Sequence, residues 1–171
     1  QTLAFIFQVD ANVGEVSISP ASTTVEIRDL SMGNPEGYDY EESISFESAT
    51  ATLVPGTAVA KRPGITELRI RGMKVTLEFE GQETNLAKMI ENASRLRSRE
   101  TDEPSDIPVY FEKIVVEEGS VQVVAPVINR PIGVPLPSFE VVDLGTKDDP
   151  ITAAEASVKF AQALLIAVTN S

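Results

Sequence analysis

Apolar and polar residues alternate along most of this chain, and the alternation breaks at a few definite places. Leu3, Phe5 and Phe7 alternate with Ala4, Ile6 and Gln8, and Val9 continues the run. Val16 and Ile18 alternate with Ser17 and Ser19, and Val25 and Ile27 with Glu26 and Arg28. A period of two puts successive side chains on opposite faces of a sheet, so these runs predict strands. Gly33-Asn34-Pro35-Glu36-Gly37 interrupts them with turn chemistry: Pro35 fixes φ, Asn34 suits the first position and Gly37 the last. Ile44 and Phe46 resume the alternation, and Pro55-Gly56 and Pro63-Gly64 punctuate the next strands.

The clearest stretch runs from Ile65 to Glu80. Leu68 and Ile70 are apolar at even positions, whereas Met73, Val75, Leu77 and Phe79 are apolar at odd ones. The inward face must therefore slip by one residue near Gly72, which predicts a bulge or sharp bend there. The design recurs later, with Ile114 and Val116 even, Gly119 between, and Val121 and Val123 odd. Strands are thus expected over about residues 2–81 and again over about 107–143. Pro126, Pro131, Pro135 and Pro137 restrict the end of the second block to edge-strand or extended geometry.

Two amphipathic helices complete the pattern. Thr84 or Asn85 caps a helix over about 85–98 whose apolar face is Leu86, Met89, Ile90, Ala93 and Leu96. A polar surface loop over 99–106 comes next. Thr152-Ala153-Ala154-Glu155 is a capping box opening a helix over about 152–168, striped by Val158, Ala161, Leu165 and Val168 with Phe160 and Leu164 beside them.

Composition narrows what such a domain can do. Its 171 residues suit one domain with a real core. Fourteen Lys and Arg against 26 Asp and Glu give a formal net charge of −12, which repels phosphate backbones and argues against a nucleic-acid partner. The chain has no Cys and no His, which excludes disulfides, thiol nucleophiles, serine–histidine triads and histidine-ligated zinc. With no Trp and 6% aromatics, a stacking platform for bases is not expected either. The longest strongly apolar run near the N-terminus, Leu3 to Phe7, is far shorter than the ~20 residues of a membrane span.

Several features invite a functional reading. The acid pairs Glu41-Glu42, Asp102-Glu103, Glu117-Glu118 and Asp148-Asp149 lack EF-hand spacing and fall by turns, in loops or on exposed strand positions, so they read as solvated surface. No metal or cofactor is expected. Arg95, Arg97 and Arg99 complement a helix C-terminus, with Glu91 placed to pair Arg95, and form a candidate contact for lipid headgroups. Asn92-Ala93-Ser94 matches a glycosylation sequon but lies in a helical pattern. The apolar strand faces carry the main candidate site: Leu68, Ile70, Val75, Leu77, Phe79, Ile114, Val116, Val121 and Val123 either line a groove or form a core that the two helices cover.

The order of these motifs resembles the N-terminal module of AsmA-like proteins. The β segment Val25 to Met32 runs into an Asn-Pro-x-Gly-aromatic turn at Asn34 to Tyr38, and Ile65 to Val75 fits an I-x-x-I-x-I-x-G-x-x-V pattern with Leu68 at the middle isoleucine. A glutamate-bearing strand and Thr84-Asn85-Leu86 then lead into the first helix, and Pro135 through Gly145 with the Thr152 helix resembles the ending of short, single-module members. The resemblance implies a place at the periplasmic face of the bacterial inner membrane, anchorage by a segment ahead of Gln1, and a curved sheet with an apolar groove that takes phospholipid.

The expected architecture is α+β, mainly β: one highly twisted, largely antiparallel sheet, groove-forming in the AsmA-like manner, with two amphipathic helices. About ten strands at ~4.8 Å would make it ~50 Å across. The expected function is non-enzymatic lipid handling or support of lipid transport in the envelope, with a protein partner or homo-oligomer. The rival is a structural subunit that binds no small molecule. An enzyme would need carboxylates or a serine–lysine pair, for which no local signature exists.

Overall fold

The structure, a computed structural model, describes residues 7, 9–57, 63–97, 108–128 and 130–171. It is mostly β, a curled open sheet shaped like a half-barrel, with two helices. The strands are β1 (Ala11–Ser19), β2 (Thr24–Gly33), β3 (Glu42–Leu53), β4 (Gly64–Arg71), β5 (Lys74–Glu80) and β6 (Glu83–Thr84), followed by helix α1 (Asn85–Arg97). Then come β7 (Pro108–Glu117), β8 (Gly119–Val124), β9 (Ile132–Leu136), β10 (Phe139–Val141), β11 (Ile151–Thr152) and helix α2 (Ala153–Thr169). Of the first expected strand only Phe7 and Val9 are described; both are buried, Phe7 is helical and Val9 sits at a bend. The rest of that run lies outside the described residues. The polar loop expected over 99–106 lies outside the described residues.

The sheet is mixed, where a largely antiparallel one was expected. β1, β2, β3 and β4 form an antiparallel series, and β5 continues β4 along the same edge of β3. β7 then pairs parallel to β4, and β8 parallel to β5. The two copies of the strand, break, strand design therefore lie side by side and point the same way. Parallel neighbours need a crossover, and the chain that carries α1 provides it. Because β4 with β5, β7 with β8, and β9 with β10 act as three bent strands, the sheet is six strands wide, about 25 Å rather than ~50 Å.

The bend expected at Gly72 is present, and it belongs to a line that crosses the whole sheet. The inward face switches parity at Gly72, where φ is +64°, and again at Glu118, where φ is +55°. In β2 it switches between Ile27 and Leu30, at Asp29 with φ +51°, and opposite, in β3, between Phe46 and Ala49. Gly14 in β1 and the break between β9 and β10 continue the line. A single left-handed residue resets the alternation and sharpens the local bend, so one crease folds the sheet around its core. At the second break the left-handed residue is Glu118. Gly119 serves close approach instead, since a Cβ there would lie 2.8 Å from Leu136 Cδ2.

On either side of the crease the inward side chains form apolar rows. Cross-strand partners share a face, so Val16, Ile27, Ala49, Ile70, Val116 and Phe139 make one row. Ile18, Val25, Ala51, Leu68, Ile114 and Val141 make the next. Beyond the crease run Ala11, Met32, Ile44, Val75, Val121 and Val134. Both helices pack on this face and against each other. The capping box of α2 forms as expected: Thr152 Oγ1 accepts from the Glu155 N–H at 3.1 Å, and Glu155 Oε2 accepts from the Thr152 N–H at 2.9 Å. Its buried stripe centres on Leu164, while Leu165 is only half-buried.

Candidate functional site

An apolar cavity of about 260 Å³ lies between the creased sheet and the two helices. Strand residues from both sides of the crease floor it, among them Ile27, Met32, Phe46, Leu68, Ile70 and Ile114. Leu86 and Met89 of α1 and Ala153, Ala156, Phe160 and Leu164 of α2 roof it. Ala153, Ala156 and Ala161 of α2 stand among its lining residues. Among the described residues no titratable side chain lines the cavity, and the one polar side chain there, Ser157, donates to the Ala153 carbonyl at 2.8 Å. Such a lining offers dispersion and exclusion of water.

Of the nine groove residues expected from the sequence, Leu68, Ile70 and Ile114 line this cavity. Val116, beside Ile70, is buried in the core, and so are Val75, Leu77 and Val121 on the other side of the crease. Phe79 and Val123 are half-buried and pack against that core. Core and cavity are thus parts of one face, divided by where the helices sit. The rows do not stop at the cavity. Toward β1 they emerge from cover, reaching Val16 at 56% and Ile18 at 69% exposure. The sequence reading missed Ile27, Phe46 and the alanine face of α2; the parity slip from Val25 and Ile27 to Leu30 and Met32 was the available signal.

The Asn34 turn, read from its residues as a turn, is held in place by the fold. Glu78 is 7% exposed, and its side chain accepts from the Asp39 N–H at 2.8 Å and the Tyr40 N–H at 3.1 Å. Asn34 Nδ2 donates to the Tyr40 carbonyl at 2.7 Å. Asn85, fully buried at the start of α1, donates to Asn34 Oδ1 and to the Thr76 carbonyl, each at 2.7 Å. Its Oδ1 accepts from the N–H groups of Glu78 at 3.0 Å and Leu86 at 2.9 Å. Turn, glutamate-bearing strand and helix start, three separate segments of the chain, meet in one hydrogen-bonded knot. Tyr38 beside it has its phenol pKa raised, first by burial and then by Glu83, Glu80 and Glu78.

Charged candidates lie on the outside. On the face opposite the cavity, Arg69 bridges Glu67 at 2.8 Å and Glu117 at 2.5 Å, with Arg71 and Lys113 at the ends of the chain of pairs. Arg69 is the first cause holding the carboxyl pKa of both Glu67 and Glu117 below the usual range. Glu41, Glu42, Glu118, Asp148 and Asp149 are exposed, and Asp102 and Glu103 lie outside the described residues. Arg95 pairs with Glu91, which also bridges Lys88 at 3.3 Å; Arg99 lies outside the described residues. Asn92 is buried, with Nδ2 donating to the Phe7 carbonyl at 3.1 Å, so the sequon is closed to a glycan. Among the described residues no group of His, Cys, Asp or Glu could hold a metal ion, and no helix is long and apolar enough to cross a membrane. No family model, curated protein or solved structure matches the chain.

Proposed function

We propose that this protein holds the hydrocarbon chain of a lipid in the creased cavity, as a non-enzymatic AsmA-like component of the bacterial envelope acting at the periplasmic face of the inner membrane. The observation that carries this reading is a lining in which none of the described residues is titratable, continuous with apolar rows that run out to Val16 and Ile18. Size sharpens it. The cavity exceeds the ~150 Å³ that accepts a benzene ring but falls below the ~300–1,000 Å³ of sites that enclose drug-sized ligands. One acyl chain suits it, with the headgroup and any second chain outside. The place in the envelope rests on the family resemblance, which the meeting of its separate motifs in the Asn34, Glu78 and Asn85 knot supports. A sheet about 25 Å wide is narrower than a ~30 Å bilayer core, so a single copy works at one membrane or as part of an assembly.

Displacement of a fluorescent fatty-acyl probe tests the site. Ala49→Leu and Ala156→Leu fill the cavity from floor and roof, and probe binding should fall at least tenfold in variants whose melting is unchanged. Unaltered binding in both folded variants would place the ligand elsewhere.

A further inference from the structure

β1 is a free edge of the sheet, pairing with β2 and with no other strand among the described residues. It is nine residues long, and it lacks the devices that keep such edges from pairing: it has no proline, no lysine and no bulge in its register with β2. The other side of the sheet is different, since β9 contains Pro135 and is flanked by Pro131 and Pro137. β1 also carries the outer ends of the two apolar rows, Val16 and Ile18.

We propose that β1 pairs antiparallel with β1 of a second copy, about a two-fold axis at Ser17. The register is dictated by the residues. With the axis at Ser17, Val16 faces Ile18 of the second copy and Ile18 faces Val16, so both rows continue into the next sheet as β-branched pairs. An axis at Val16 would set Ile18 against Gly14, and one at Ile18 would set Val16 against Pro20. Of these registers the Ser17 one alone sets both Val16 and Ile18 against β-branched partners within β1, while Val13, 45% exposed, falls opposite Ala21 in the turn of the second copy. It also suits the charge: Glu15, the one ionised residue of β1, falls opposite Ser19 of the second copy rather than the equivalent carboxylate, in a chain of formal net charge −12. This self-complementarity is what selects a second copy over an unrelated strand, because a two-fold interface must match itself. The dimer would join two sheets of about 25 Å into one of about 50 Å, with an apolar floor running from one cavity to the other.

The chain has no cysteine, so single-cysteine variants report the register cleanly. Under mild oxidation Ser17→Cys should form a disulfide-linked dimer in high yield, because residues opposite each other in an antiparallel pair have Cα atoms about 4.5–5.5 Å apart, within disulfide reach. Ser22→Cys, in the turn beyond β1, should give little, its two copies standing on the order of 25 Å apart. Sedimentation of the unmodified chain should show a concentration-dependent dimer that Ile18→Lys weakens about tenfold or more. A chain that stays monomeric, a Ser17→Cys variant that does not cross-link, or equal cross-linking at Ser17 and Ser22 would each overturn the proposal.

Discussion

Asn85→Ala removes four hydrogen bonds from a position with no solvent access. Its Oδ1 is the partner of the Glu78 and Leu86 N–H groups, and its Nδ2 that of the Thr76 carbonyl and Asn34 Oδ1. Alanine fits the helix start but supplies none of these. The Leu86 N–H belongs to the first turn of α1, whose N–H groups have no partner within the helix in any case, and Asn34 is half-buried. The Glu78 N–H and the Thr76 carbonyl stay beneath the helix without partners. At about 1–3 kcal/mol for each of these two orphaned groups, the loss should total about 2–6 kcal/mol. For a chain of this length that lowers Tm by about 4–24 °C. Urea unfolding gives the free energy, and hydrogen exchange at the Glu78 amide reports the broken bond locally. A loss below about 1 kcal/mol with the Glu78 amide still protected would refute the knot as a source of stability. Asn170→Ala, exposed at the end of α2, is the matched control and should cost almost nothing.

Three further predictions rest on separate parts of the fold. Leu164→Ala should destabilise by about 2–5 kcal/mol and Leu165→Ala by clearly less, since Leu164 is 1% exposed and Leu165 half-buried; chemical denaturation showing the reverse order would contradict the rotation assigned to α2. Gly72→Ala should cost about 1–2 kcal/mol, because φ is +64° there and the new Cβ would lie 2.6 Å from Glu47 Cγ, so an unchanged Tm would remove the crease residue from its role. Glu67 and Glu117 have lowered carboxyl pKa values, so the stability they contribute is present above the unfolded value of about 4.3 and is lost as pH falls through the lower folded values. Arg69→Gln should therefore be less stable than the parent at pH 7 and converge with it near pH 2, and a constant gap across that range in urea titrations would exclude the mechanism.

What the sequence shows of this fold is what period two can carry. The slip between Ile70 and Met73 located the bend at Gly72, and the capping residues located α2. The same parity argument covers Asp29, where Val25 and Ile27 give way to Leu30 and Met32. It is fainter in β3, because Ala49 and Ala51 are weak markers of an inward face. The parallel pairing of the two bent strands was not legible: alternation records which face is buried and says nothing of direction, which the crossover through α1 decides. The Asn34 turn was legible as a turn. Its dependence on Glu78 and Asn85, 44 and 51 residues away, is set by tertiary contact alone. The cavity was half legible: Leu68, Ile70 and Ile114 stood out as strand-face residues, but cover or exposure depends on where the helices sit.

Native mass spectrometry of the protein purified from membranes tests the central claim most directly. The account predicts a bound amphiphile at one per chain, with a single acyl chain protected from exchange with detergent, and its loss in the folded Ala49→Leu and Ala156→Leu variants. A chain that emerges free of lipid under gentle ionisation, or that keeps its lipid when the cavity is filled, would contradict it.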